Sequence, residues 1–185
     1  MKFYKKNNTK GFTLLETIVA LFIMSTAMSA LVFITLEGVN NTTFVKDRLT
    51  ANFLAQEGVE LVRNIRDVHV RFVSAGQDRG ASWNTFTTFM NPCIMTDCTI
   101  DPIKSSIDSN IVKACKGTCP FLTMDSAEYV YSYGSGDDTK FKRFIRIYEA
   151  QQGQLFVISR VEWSHGTKNQ KADASVLLTD WLPSL

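Results

Sequence analysis

The chain has 185 residues, 45% apolar and 21% charged, with four cysteines and two histidines. That composition supports a core of ordinary density and excludes a disordered or collagen-like chain. Twenty basic residues face 18 acidic ones, a formal net charge of +2, so the whole chain carries no polycationic signature of nucleic-acid binding. The average conceals an asymmetry: Lys2, Lys5, Lys6 and Lys10 fall in the first ten residues, which hold no acid.

Segment 12–36 reads FTLLETIVALFIMSTAMSALVFITL, and Glu16 is its only ionisable side chain. A helix of this length runs about 37 Å, enough to cross a hydrocarbon core of about 30 Å. Lysines before the run and none immediately after it predict a cytoplasmic N-terminus, with everything beyond Leu36 outside. A cleaved secretory signal is the rival reading, because Ala27-Met28-Ser29 has the small-x-small form of a cleavage site. The carboxylate within the run argues against it, since an acid at the centre of a membrane helix costs at least ~2.5 kcal/mol.

The stretch Lys10-Gly11-Phe12-Thr13-Leu14-Leu15-Glu16, followed by an unbroken apolar helix, closely resembles the processing and methylation motif of type IV pilins and pseudopilins. The resemblance implies that a prepilin peptidase cuts after Gly11 and methylates the new terminal amine of Phe12. Glycine before the scissile bond permits close backbone approach by the peptidase. Glu16 is then the fifth residue of the mature chain. Its carboxylate is expected to pair with the Phe12 ammonium, its own or that of an adjacent subunit, because a pair in low dielectric favours one axial register. The plainer alternative is an acid that snorkels to the headgroups. The implied organisation is a basic leader at 1–11, a transmembrane and assembly half of a long helix at 12–37, an amphipathic half at 38–67, and an extracytoplasmic head at 68–185.

Beyond Leu36, Val45, Leu49, Phe53, Gly58, Leu61 and Ile65 recur at i+3 to i+5 steps with charged residues on other faces, the pattern of an amphipathic helix leaning on a core. No proline precedes Pro92, so one helix from Phe12 to about Arg66 is predicted, weakest at Gly38 and the Asn40-Asn41-Thr42-Thr43 patch. Residues 67–80 are expected to form a loop. Residues 90–122, with Pro92, Pro102, Pro120 and all four cysteines, are expected to form an excursion outside the core. Period-2 patterns predict strands at 141–149 and 154–163, joined around Gln151-Gln152-Gly153, and a third at 175–182 after Gly166-Thr167-Lys168-Asn169. Residues 128–133 add a fourth. One-sided alternation fits an antiparallel sheet packed on one face. Its placement against the long helix, an α+β pilin-like fold with three to four strands, is what the resemblance implies.

Cys93, Cys98, Cys115 and Cys119 read Cys-x4-Cys, 16 residues, Cys-x3-Cys, spacings compatible with structural zinc or with two disulfides. An oxidising exterior favours disulfides. Cross-cluster bridges would close loops of about 20 residues, each contributing about 3 kcal/mol, so nested pairing of Cys93 with Cys119 and Cys98 with Cys115 is expected, with crossed pairing next. Gly134 to Thr139, with Asp137 and Asp138, reads as a hairpin turn rather than a calcium loop. Arg63, Arg66, Arg71 and Arg79, interspersed with Asp67 and Asp78, read as a solvated or ion-paired face rather than a DNA-binding stripe. His69 and His165 stand beside no nucleophile and no glycine-rich phosphate loop is present, so neither catalysis, cofactor nor metal is expected.

The functional expectation is a pilus-like filament subunit of the minor pilin or pseudopilin kind, resident in the cytoplasmic membrane as a single pass and later in an extracytoplasmic filament. Its expected partners are prepilin peptidase, other pilin subunits and the membrane, with no nucleic acid. The alternative is a membrane-anchored or filament-tip adhesion module using the Cys-braced loop. A third reading, a secreted enzyme with a signal peptide, requires a mature terminus near Ala30.

Overall fold

A computed structural model describes residues 11–73 and 79–180, with the side chains of 72–80 also outside the description. The leader lysines, part of the 67–80 loop and the last two residues of the predicted third strand lie outside the described residues. The chain divides into two compact units, Met1–Val45 and Lys46–Leu185. One helix, α1 (Leu14–Val68), contributes to both.

In the first unit the helix opens with Thr13, whose Oγ1 accepts the Glu16 N–H at 3.3 Å, and Thr17 N–H reaches the Thr13 carbonyl at 3.2 Å. Thr13-x-x-Glu16 has the sequence form of a capping box. The apolar side chains from Leu14 to Val39 are exposed. Hydroxyls in this stretch turn back onto the helix: Thr17 donates to the Leu14 carbonyl at 2.8 Å, Ser25 to Phe22 at 2.9 Å, and Thr35 to Leu31 at 2.8 Å. A polar group so satisfied is tolerated in hydrocarbon, where a free one costs several kcal/mol.

In the second unit α1 buries Ala51, Leu54, Ala55, Gly58, Val59, Val62 and Ile65, one stripe at helical spacing. The helix ends in a π turn, His69–Val73, and is followed by α2 (Arg79–Phe89), a 3-10 turn (Asn91–Cys93) and eight strands. These are β1 (Cys98–Ile100), β2 (Val112–Ala114), β3 (Thr123–Met124), β4 (Tyr131–Ser132), β5 (Asp137–Asp138), β6 (Lys142–Gln151), β7 (Gln154–His165) and β8 (Lys168–Thr179). A five-stranded antiparallel sheet has the order β2-β1-β6-β7-β8, and a small one the order β4-β3-β5. Gln152-Gly153 joins β6 to β7 and Gly166-Thr167 joins β7 to β8, glycine taking positive φ at each turn (73° and 59°). The architecture is α+β and pilin-like, a long N-terminal helix packed on antiparallel sheets.

Four expectations are corrected. The loop predicted over 67–80 instead carries the end of α1, the π turn and the start of α2. α2 has weak intrinsic periodicity, but Trp83, Phe86 and Met90 at i, i+3 and i+7 are buried, so tertiary packing decides it. The segment 90–122 is not outside the core: Cys93, Cys98, Ile100, Ile111, Val112 and Leu122 are all buried, and β1 and β2 extend the main sheet. The strand predicted at 128–133 contracts to β4 and belongs to the small sheet. The turn at 134–139 is no hairpin, because β3 lies between β4 and β5.

The disulfides are also local, Cys93 with Cys98 and Cys115 with Cys119, which overturns the nested expectation. Register supplies the reason. Cys98 pairs with Ala114, and the Cys115 N–H donates to the Asp97 carbonyl. Because alternate residues of a strand face opposite sides, Cys115 leaves the ladder on the face opposite Cys98.

Candidate functional site

Gly11, Phe12 and Glu16 are exposed at the start of the first unit, and Phe12 is 80% exposed. A Cβ added at Gly11 would meet no described atom within 4 Å. The Glu16 carboxylate belongs to the first turn of α1, where it complements the partial positive charge of the helix end. From Leu14 onward α1 is long and apolar enough to cross a membrane, and none of its apolar window is buried within the structure.

The second unit anchors α1 to its sheet with polar contacts as well as apolar ones. Arg143 of β6 is fully buried. Its Nη1 donates to the Glu57 carboxylate and, at 3.4 Å, to the Leu54 carbonyl, while Nη2 reaches the Ile100 carbonyl at 3.3 Å. Tyr133 donates its hydroxyl to the Arg143 carbonyl at 2.6 Å. Burial holds the Tyr133 phenol above its ordinary pKa, with Arg143 working against that. Nearer the unit's first residue, the buried Asp47 takes Lys140 Nζ at 2.6 Å and lies 3.6 Å from His165 Nδ1. One helix segment is therefore gripped at Asp47 and Glu57 by residues from β6, β7 and the preceding loop.

The other residues singled out in the sequence are dispersed. Arg63 pairs with Glu60 and Arg66 with Asp67, as an ion-paired face requires, and the Arg79 side chain is outside the described residues. Asp137 and Asp138 are strand residues opposite Met124 and Thr123. Among the described residues no three metal-ligating side chains converge. Arg143 was not singled out as functional, although its place in the inward parity of β6, with Ile145 and Ile147, was legible.

The bare apolar N-terminal helix segment is consistent with membrane anchoring, and the antiparallel sheet on the later turns of the same helix gives a pilin-like architecture. The family model described as the prokaryotic N-terminal methylation motif matches residues 6–32, which supports the resemblance of this segment to the N-termini of type IV pilins and pseudopilins. No curated protein and no solved structure gives a significant match.

Proposed function

We propose that the protein is a filament subunit of the minor pilin or pseudopilin kind, stored in the cytoplasmic membrane with its N-terminus inside and then drawn into an extracytoplasmic filament. Prepilin peptidase cuts after Gly11, removing the basic residues before it, and methylates the Phe12 amine. Residues 12–37 serve first as the membrane anchor and then as the assembly surface, with Glu16 pairing with a terminal ammonium. In this reading the role of the head is mechanical. The carrying observation is the methylation motif at 6–32 continuing into an exposed apolar helix with one carboxylate.

N-terminal mass spectrometry of the chain from its own host tests the reading. The expected mature terminus is N-methylated Phe12, and Gly11→Val should leave the chain uncut by crowding the scissile bond. A terminus near Ala30 would identify a signal peptide instead and overturn it.

A further inference from the structure

A hollow of about 700 Å3 opens at the rim of the main sheet, between α2, the β6–β7 turn and the end of β8. Its volume is in the range of small-ligand sites. Local backbone geometry shapes it. The pairing of β6 with β7 slips between Glu149 and Gln151, so Ala150 is an extra residue, and a bulge of this kind re-aims the side chains beside it. Asp180, immediately after β8, donates its N–H to the Gly153 carbonyl at 2.9 Å, which ties the strand end to the turn. The sheet rim thereby brings Glu149, Gln151, Gln154 and Asp180 to one hollow, and α2 adds Trp83 and Asn84.

Two of the lining residues, Trp83 and Leu155, are 9% and 3% exposed and belong to the main core cluster. Trp83 packs on Phe86 with ring centroids 5.5 Å apart, so the apolar part of the lining is fixed by the core. The exposed part is polar. The side chains of Asn84, Glu149, Gln151, Gln154 and Asp180 have no hydrogen-bond or ion-pair partner among the described residues. Elsewhere on β6 and β7 the charges are taken up in pairs, Arg146 with Asp97 and Arg160 with Asp173. No lysine, arginine or histidine is among the described lining residues.

This donor and acceptor set narrows the ligand. Amides both donate and accept while ionised carboxylates only accept, which suits a molecule with several hydroxyls. An anion would meet two carboxylates and no counter-charge. The part of Trp83 and Leu155 that lines the hollow suits the C–H face of a sugar ring. We infer that the hollow binds a neutral saccharide, its hydroxyls donating to Glu149 and Asp180 and exchanging hydrogen bonds with Asn84, Gln151 and Gln154. A free sugar and a sugar unit of a surface glycan share this chemistry. The site adds recognition to the mechanical role of the head and does not depend on filament assembly.

The test uses the full-length chain, solubilised in lauryldimethylamine oxide so that no sugar-based detergent competes. Binding is measured to free glucose, galactose, mannose and N-acetylglucosamine and to immobilised oligosaccharides of the same four units, with heparin and a lysine-rich peptide as charged controls. Binding to a free sugar assigns a small-molecule ligand, and binding to the oligosaccharides alone assigns a surface glycan; both support the site. Asn84→Ala, Glu149→Ala and Asp180→Ala should each weaken it about two- to tenfold, the loss of one hydrogen bond, and the Glu149→Ala, Asp180→Ala double variant at least about tenfold. Glu128→Ala, at an exposed acid that does not line the hollow, should bind like wild type. All these positions are exposed, so an unchanged unfolding temperature separates lost recognition from lost folding. No neutral saccharide bound, a charged control bound in its place, or wild-type binding by the double variant would overturn the inference and leave the filament reading standing.

Discussion

Gly58 of α1 faces Ser159 of β7 with no room for a side chain: a Cβ built on Gly58 would lie 2.2 Å from Ser159 Oγ, 3.0 Å from Ser159 Cβ and 3.2 Å from Arg143 Cδ. The helix rests on the sheet at that point because position 58 has no side chain. Alanine would gain up to about 1 kcal/mol of helix propensity, but overpacking costs about 1–3 kcal/mol. Gly58→Ala should therefore lower the thermal unfolding temperature of the purified full-length chain, and adding Ser159→Gly should recover part of the loss. An unchanged or higher melting temperature in the single variant would mean the sheet yields freely.

The Arg143–Glu57 pair sits beside that contact and is asymmetric, since Arg143 is fully buried while the Glu57 side chain is 38% exposed. Removing the carboxylate leaves a buried guanidinium with only carbonyl partners. Breaking a buried pair in this way costs about 3–5 kcal/mol, whereas replacing the whole pair by apolar groups of similar volume can be nearly neutral. Denaturant titration should find Glu57→Ala markedly destabilised and an Arg143→Met, Glu57→Leu double variant closer to wild type. The reverse order would refute this account of the clasp.

Tyr133 should make stability fall in alkali. Burial raises its phenol pKa above the ordinary 10.0, so the folded chain holds the proton more tightly than the unfolded one. The stabilisation is complete below that ordinary value and is lost as pH rises through it toward the folded value, because the unfolded chain ionises first. Tyr133→Phe should flatten this alkaline limb while costing stability at neutral pH through the lost bond to the Arg143 carbonyl. Equal alkaline slopes for wild type and variant would assign the limb to another group.

Peptide mapping under non-reducing conditions should recover Cys93 linked to Cys98 and Cys115 linked to Cys119. Loops this short contribute about 2 kcal/mol each on chain-entropy grounds. Cys93 and Cys98 are fully buried among Ile100, Ile145 and Ile147, so replacing that pair by serine should cost more than replacing Cys115 and Cys119, by adding buried polar groups. A cross-cluster peptide would contradict the register of β1 on β2.

Glu16→Val should leave processing intact and membrane insertion equal or better, since a carboxylate in the span costs at least ~2.5 kcal/mol. Its copy number in purified filaments should fall sharply, because the terminal ammonium of a neighbour loses its partner. Normal incorporation would show Glu16 to be a tolerated passenger whose role ends at capping the first turn.

The N-terminal third was legible in one dimension because its determinants are local. A basic stretch, a glycine, an apolar run of membrane length and one carboxylate follow one another along the chain, so the motif matched at 6–32 needs no fold to be recognised. The longest strands were legible for a related reason: period-2 alternation in β6 and β7 records one buried face, and it also placed Arg143 inward. Other features depend on partners distant in sequence. α2 forms because Trp83, Phe86 and Met90 find a core, and its own Gly80 and threonines give little sign of it. The cysteine pairing depended on a one-residue register between β1 and β2, to which spacing and loop entropy are blind. The closeness of Gly58 to Ser159 exists only once helix and sheet are assembled, because it is set by packing between residues that the chain keeps 101 positions apart.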